Sequence, residues 1–252
     1  MKTIWITGGS SGIGLAVAKK FLSENWRVII SSKNINNLNS AKKNILRSSK
    51  NKEIYAIKCD ISKRKEVQDT LIKIEKKISK IDLALLNAAA YSPNKNQDFD
   101  IKNYELLIDV NIKGTVYCIE ALQKIMNGRG NHIAIVSSPV GYRGLPTAGA
   151  YGLTKAALIN LAETLFFDFK KKNIKISVIN PGFIESRSTN LNSFPMPFIK
   201  SADYAAEKIF LGLTNSYKFE IYFPYFFLLT MKIGKILPYK IYFYLIKKIT
   251  GL

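Results

Sequence analysis

Short apolar runs and stretches of helical period alternate along this chain almost from its first residue. Thr3 to Thr7 is apolar enough for a strand, a glycine-rich turn GGSSGIG breaks it, and LAVAKKFLSEN then places Leu15, Ala18, Phe21 and Leu22 at helical spacing. Further strands are predicted at Trp26 to Ser32, Ile54 to Lys58, Asp82 to Leu86, Asn131 to Ser137 and Ile174 to Ile179, with FEIYF at Phe219 to Phe223 as a seventh. Helical spacing recurs over Glu66 to Ile78, through Val67, Leu71, Ile74 and Ile78, over Tyr104 to Met126, and from Tyr151 along YGLTKAALINLAETLFFDFKKK. It returns at Ala202 to Leu213, where Ser201 supplies a cap, while the polar stretch Ile35 to Ser49 reads as helix or loop.

The strand at Asp82 to Leu86 is apolar almost throughout, so helices must cover both of its faces, as they do in a parallel sheet. The repeated strand-helix order therefore predicts an α/β fold, a doubly wound parallel sheet of seven strands with helices on both faces in a single domain.

Composition narrows the chemistry. The 252 residues are 47% hydrophobic, enough for a full core, and no tract is polar enough for disorder. Two cysteines, Cys59 and Cys118, suit a reducing cytosol better than a disulfide framework, and they offer no zinc site, so no metal is expected. The opening MKTIWITGG leads directly into a strand, which leaves no room for a cleavable signal and points to a cytoplasmic protein. A net charge of +20 comes from 38 basic and 18 acidic residues scattered along the chain; no dense basic reading motif accompanies it, so nucleic acid is not an expected partner.

The turn after the first strand bears on function. Glycines at Gly8, Gly12 and Gly14 let the backbone approach a pyrophosphate, and the helix beyond supplies free N–H groups at its positive end. A triphosphate-binding loop would end in Gly-Lys-Ser/Thr, and here the turn ends in Gly-Ile-Gly. An acid closing the second strand would accept the ribose hydroxyls of NAD; the chain has Ser31, Ser32 and Lys33 there, which suits a 2′-phosphate and favours NADP(H) over NAD(H). Small residues follow the fourth strand, Asn87 to Ala90, leaving space for a flat ligand. Asn111 is an amide within an apolar helical pattern and needs partners. Ser137 and Ser138 leave the fifth strand, and Tyr151 and Lys155 sit one helical turn apart on the next helix. A cation that close to a phenol would lower the tyrosine pKa toward the range of a general acid/base. His132, the one histidine, lies at the far end of its strand and is read as structural, which removes Ser-His catalysis.

Taken together, these residues resemble the short-chain dehydrogenase/reductase family in its TGxxxGxG and YxxxK branch. Thr7, Gly8, Gly12 and Gly14 fit the turn, Asp60 fits the acid after the third strand, and Pro181-Gly182 fits the turn after the sixth. Asn111, Ser138, Tyr151 and Lys155 fit the catalytic tetrad, with thirteen residues from Ser138 to Tyr151. The resemblance implies a cofactor site that adds Ser10, Ser11, Ile13, Ser32, Lys33, Ile61, Asn87, Ala88, Ala89 and Ser186 to the turn glycines, shared with Tyr151 and Lys155. It implies that Ser138 holds a substrate oxygen, Tyr151 exchanges the proton, Lys155 lowers the Tyr151 pKa and binds the nicotinamide ribose, and Asn111 anchors a water. The chain departs from the family at Leu86 to Ala89, where LNAA replaces NNAG and an alanine must keep a negative φ. Ser186 stands in place of the usual threonine.

The expected activity is hydride transfer between NADP(H) and a carbonyl or alcohol, a small molecule that the apolar residues of a lid at Phe183 to Lys200 make bulky and apolar. The alternatives are a non-catalytic NADP-binding regulator and a basic protein associated with membrane surfaces. The resemblance ends near residue 215, so residues 1–216 form the expected dinucleotide-binding and catalytic domain, and residues 217–252 a last strand with an aromatic, basic extension packed on the same domain. That extension covers the pocket, joins subunits of a homo-oligomer, or makes a peripheral membrane contact through residues 224–252; its apolar runs are too short to span a bilayer.

Overall fold

The structure is a computed structural model that describes residues 1–93, 99–126, 128, 131–192 and 194–251. Seven strands form one sheet in the order β3-β2-β1-β4-β5-β6-β7. In chain order they are β1 (Thr3–Thr7), β2 (Arg27–Ser32), β3 (Ile54–Lys58), β4 (Leu83–Leu86), β5 (His132–Val136), β6 (Lys175–Pro181) and β7 (Glu220–Phe223). Every pairing is parallel. Alternate residues of each strand point to opposite faces, and two hydrophobic cores result. On one face Trp5, Ile29, Ala84, Ile133 and Val178 meet α3 (Arg64–Lys77), α5 (Gly114–Met126) and α6 (Gly149–Lys170). On the other, Ile4, Ile6, Val28, Ile30 and Leu85 meet α1 (Gly12–Ser23), α2 (Ile35–Ser48) and α7 (Ala202–Thr214).

The ambiguous stretch after the second strand is helical: Leu38, Ala41 and Ile45 are buried on one side of α2, and the Asn34 side chain caps it by accepting from the Asn37 N–H at 3.0 Å. The long helix expected from Tyr104 is three pieces. It begins earlier as α4 (Ile101–Leu107), capped by Asp100, widens into a π-helical segment at Ile108–Lys113, and resumes as α5. Apolar periodicity alone does not register such a widening, because the register slips by less than one turn.

The last expected strand is β7, whose pairing with β6 places it at the sheet's edge. Beyond it the extension forms two helices, α8 (Tyr225–Ile236) and α9 (Tyr239–Thr250), each preceded by a proline. A proline at an N-terminal boundary forgoes an N–H that would have no partner within the helix. Among the described residues no helix is long and apolar enough to cross a membrane.

Candidate active site

The sheet order reverses between β1 and β4, and that reversal opens a crevice at the carboxyl ends of the strands. Thr7 and Leu86 are register partners there. The Thr7 hydroxyl accepts from the N–H groups of Asn87 and Ala88, both at 3.0 Å, and the Asn87 amide donates back to the Thr7 carbonyl at 3.1 Å. The glycine turn is thereby locked to the end of β4. Gly14 is the tightest point of this lock: a Cβ there would lie 2.4 Å from the Gly8 carbonyl oxygen and 2.6 Å from the Asn87 amide nitrogen. Gly12 differs. Its φ of +52 excludes most side chains, while its Cβ direction is open, with Ser186 Cβ at 3.5 Å as the nearest atom. Ser11 at the N-cap of α1 makes no side-chain cap bond, so the first N–H groups of the helix face the crevice without one. Ser10, Ser11 and Ile13 are half-buried around this turn.

A substitution follows from this geometry. Gly14→Ala is expected to cost about 1–3 kcal/mol of stability, because neither a backbone carbonyl nor a bonded amide can move aside cheaply, and to weaken dinucleotide binding about tenfold or more by distorting the turn. Denaturation midpoints and cofactor fluorescence titration test it; wild-type values for both would contradict the lock.

The other residues expected at the cofactor are distributed around the same edge. Ser32 is half-buried at the end of β2 and Lys33 is exposed beside it, whereas Ser31 is buried and accepts from the Trp5 indole at 3.1 Å. Asp60 organises the turn after β3: its carboxylate accepts from the Ser62 N–H at 3.1 Å and hydroxyl at 2.7 Å. The Ile61 side chain turns into the core beneath Gly114, so only its backbone is offered to the crevice. Ala89 keeps a negative φ, which accommodates the alanine where the resemblance expects glycine. Pro181 is buried, Gly182 is packed under Pro224, Phe227 and Leu228, and Ser186 exchanges hydrogen bonds with Thr189.

Three of the four tetrad candidates converge through β5 and α6. Ser138 follows β5 in extended backbone and heads the short turn Pro139–Gly141. That turn lies directly on α6: a Cβ at Gly141 would sit 2.7 Å from the Lys155 carbonyl. The neighbouring Ser137 hydroxyl donates to the same carbonyl at 2.8 Å. Thr147, with φ at +61, turns the chain into the helix; such a conformation in a β-branched residue is uncommon and needs its surroundings to hold it. Tyr151 lies beside Ser138, whose hydroxyl favours ionisation of the phenol. Lys155 is 2% exposed, its Nζ donates to the Val136 carbonyl at 2.9 Å, and it lies 5.4 Å from the Tyr151 ring centroid.

The electrostatics differ from the simple expectation of a lysine lowering its neighbour. Burial pushes the Tyr151 phenol well above its ordinary range, Tyr91 adds to that, and the neighbouring Ser138 hydroxyl opposes it. Burial pulls the Lys155 ammonium down to about 8. With the ammonium on a strand carbonyl and over the ring face, the cation is not at the phenol oxygen.

Asn111 sits in the π-helical segment, 1% exposed. Its side chain pairs both ways with Ala90, accepting from the N–H at 2.7 Å and donating to the carbonyl at 3.0 Å, and donates to Thr154 at 3.1 Å. It clamps the loop after β4 to α6. Widened helical turns are frequent at functional sites, and this one aims the amide at both.

Tyr91 was not singled out by the sequence. Its ring meets Tyr151 edge-on at 4.8 Å, and its hydroxyl donates to Asn192 in the segment expected to be a lid. Nothing in periodicity marks a tyrosine in a loop; only tertiary contact reveals it. That segment is a closed excursion whose ends pair between Phe183 and Lys200 at 3.0 Å and between Glu185 and Lys200 at 2.9 Å. Phe183 and Phe198 both pack on Phe227 of α8. Ser193, within that stretch, lies outside the described residues. Arg143, also unanticipated, donates to the carbonyls of Gly234 and Leu237 and stacks on Tyr242, tying the loop between Ser138 and Tyr151 to α8 and α9. His132 is buried against Ser177 at 2.8 Å, and burial with nearby Lys175 lowers its pKa to about 4, so it stays neutral and structural.

A family model described as short chain dehydrogenase matches residues 2–194. Among curated proteins, carbonyl reductase family member 4 of Xenopus laevis is 31% identical over 194 residues, covering 75% of this chain and 78% of its own. An uncharacterized oxidoreductase of Staphylococcus epidermidis is 26% identical over 215 residues, covering 85% and 91%. Among solved structures, an alcohol dehydrogenase from the archaeon Thermococcus sibiricus complexed with 5-hydroxy-NADP superposes with a TM-score of 0.79 at 21% identity, covering 88% of this chain and 95% of that one. An actinorhodin polyketide ketoreductase with NADPH gives 0.74 at 18%, covering 82% and 88%. At such identities the structural likeness speaks for the fold.

Proposed function

Because the chain belongs to the short-chain dehydrogenase family, an oxidoreductase family, we propose that it transfers hydride between NADP(H) and a carbonyl or alcohol substrate, with Tyr151 as the general acid/base. The observation that carries this reading is the convergence of Ser138, Tyr151 and Lys155 at the strand edge that also holds the glycine turn. The turn fits a dinucleotide: Gly14 leaves no space for a Cβ, Gly12 is open above, and α1 begins without a side-chain cap.

NADPH, when bound, supplies the hydride. The Ser138 hydroxyl then holds the substrate oxygen against the phenol, and Tyr151 gives that oxygen its proton during reduction or takes it during oxidation. A phenol kept protonated by burial is suited to giving the proton; Lys155, brought to about 8, is a cation ready to stabilise the phenolate left behind and to hold the nicotinamide ribose. Asn111 positions these groups by clamping the loop after β4 to α6. An apolar, bulky substrate is supported by Tyr91, which meets Tyr151 edge-on, and by the aromatic Phe183 and Phe194 of the segment whose Asn192 accepts from Tyr91.

The preference for NADP rests on Lys33, exposed at the end of β2 where no acid competes for the ribose. The test is NADPH and NADH oxidation against a panel of aldehydes and ketones of increasing chain length. NADPH should be preferred by about tenfold, a charge-assisted contact being worth about 1.5–3 kcal/mol, and Lys33→Glu should remove the preference. NADPH binding with no turnover anywhere on the panel would favour the regulator reading instead.

A further inference from the structure

The paired C-terminal helices turn an apolar face outward. On α8, Phe226, Leu229, Ile233 and Ile236 follow each other at three-, four- and three-residue steps, so they form one stripe, and all four are exposed, Phe226 by 82% and Ile236 by 80%. The opposite side of α8 is the one that packs: Leu228 is fully buried and Phe227 rests on the lid. In α9 only Tyr242 is buried, while Ile241, Leu245 and Ile249, four residues apart, are exposed along one flank. Lys240 and Lys247 lie on the other side of that helix, and Lys248, seven residues beyond Ile241, borders the exposed flank. A helix serving only to cover the domain would show the reverse arrangement on α8, with polar residues outward.

Charge selects the occupant of this surface. Residues 224–252 contain Lys232, Lys235, Lys240, Lys247 and Lys248 and no Asp or Glu. Lys232 is committed to Glu220, which also accepts from Tyr142 and Asn180, and this network fixes α8 to β7 and to the loop after β5. The other four lysines are exposed. A two-fold contact with a second copy through this face would set lysines against lysines with no acid of the segment to answer them. A negatively charged lipid surface meets both demands, apolar depth for the stripe and anionic headgroups for the lysines. Neither helix is long enough to span.

We propose that α8 and α9 lie in the headgroup boundary of an anionic bilayer, with Phe226, Ile233 and Ile236 of α8 and Ile249 of α9 inserted and Lys235, Lys240, Lys247 and Lys248 at the phosphates. Because Phe227 on the inner side of α8 touches Phe183 and Phe198, the docked helix holds the lid beside the membrane. The docking stands on the helices alone and does not depend on the catalytic reading.

The experiment is sedimentation of the full chain with vesicles of pure phosphatidylcholine and of phosphatidylcholine mixed with phosphatidylglycerol. Binding is expected with the anionic vesicles, falling at high salt. Lys247→Gln with Lys248→Gln should lower the partition coefficient about 25-fold, about fivefold per lysine. Phe226→Ser with Ile236→Ser should lower it about tenfold or more, with an unchanged thermal midpoint showing that both exposed positions leave the fold intact. Equal binding to both vesicle types, no binding to either, or a dimer by light scattering that Ile236→Ser dissolves would each overturn the proposal. Because pelleting requires no turnover, a failure here is separable from a failure of the oxidoreductase reading.

Discussion

Tyr151→Phe should lower kcat by about 100- to 10,000-fold, the contribution of a positioned general acid/base, while leaving NADPH affinity within about twofold. The substitution removes one oxygen and little else. The ring keeps its edge contact with Tyr91 at 4.8 Å and its place beneath Lys155. Losing the interaction of the phenol with Ser138 costs at most about 1 kcal/mol, so the variant stays folded. The groups that would hold the dinucleotide, the turn from Gly8 to Gly14 and the N-terminus of α1, lie on β1 and α1 and are untouched. Steady-state kinetics and fluorescence titration on the same preparation separate the two effects. Turnover within tenfold of wild type would move the proton transfer to another group.

Lys155→Met is expected to suppress turnover and to raise stability at the same time. The ammonium is 2% exposed and burial alone pulls it down from 10.5 to about 8, with no carboxylate offsetting that among the described residues. The folded state therefore binds this proton less tightly than the unfolded chain does. Between pH 8 and 10.5 the unfolded chain holds a proton that the folded chain has released, so wild-type stability from this group rises with pH across that window; below it the penalty is present in full. The shift corresponds to about 3 kcal/mol at 1.36 kcal/mol per unit, and losing the bond to the Val136 carbonyl returns about 1 kcal/mol. Methionine, of similar length and uncharged, should thus gain about 2 kcal/mol at neutral pH, with the advantage shrinking toward pH 10.5. Denaturant unfolding of both proteins near pH 7 and near pH 10 tests the sign. A variant less stable than wild type at neutral pH would show that the buried cation is compensated. A group that costs stability and is retained is what a strained functional site looks like.

The pair Tyr151 and Lys155 shows where a local reading stops. Spacing of four residues on a helix places them on one face, and the structure does bring them within cation–π distance. The consequence drawn from that proximity, a depressed phenol pKa, does not hold in this arrangement, because burial acts on both groups and the Lys155 ammonium is drawn to the Val136 carbonyl. Desolvation is a property of everything packed around a side chain, and no sequence window contains it.

The sequence by itself determined the strands, the glycine turn and the order of elements, since apolar period and backbone freedom are local properties: Ile4 to Ile6 could only be a buried strand, and Gly14 could carry no Cβ once strand, turn and helix met. It also placed Ser138, Tyr151 and Lys155 at strand and helix ends. The tertiary structure alone decided what depends on segments distant in the chain. Tyr91 reaches Tyr151 and Asn192 across two loops, Arg143 reaches the carbonyls of α8 nearly a hundred residues on, and the outward stripe from Phe226 to Ile236 acquires meaning once Leu228 is seen to take the inner side. Periodicity shows that a helix has two faces; which face is buried is settled by the surface it packs against.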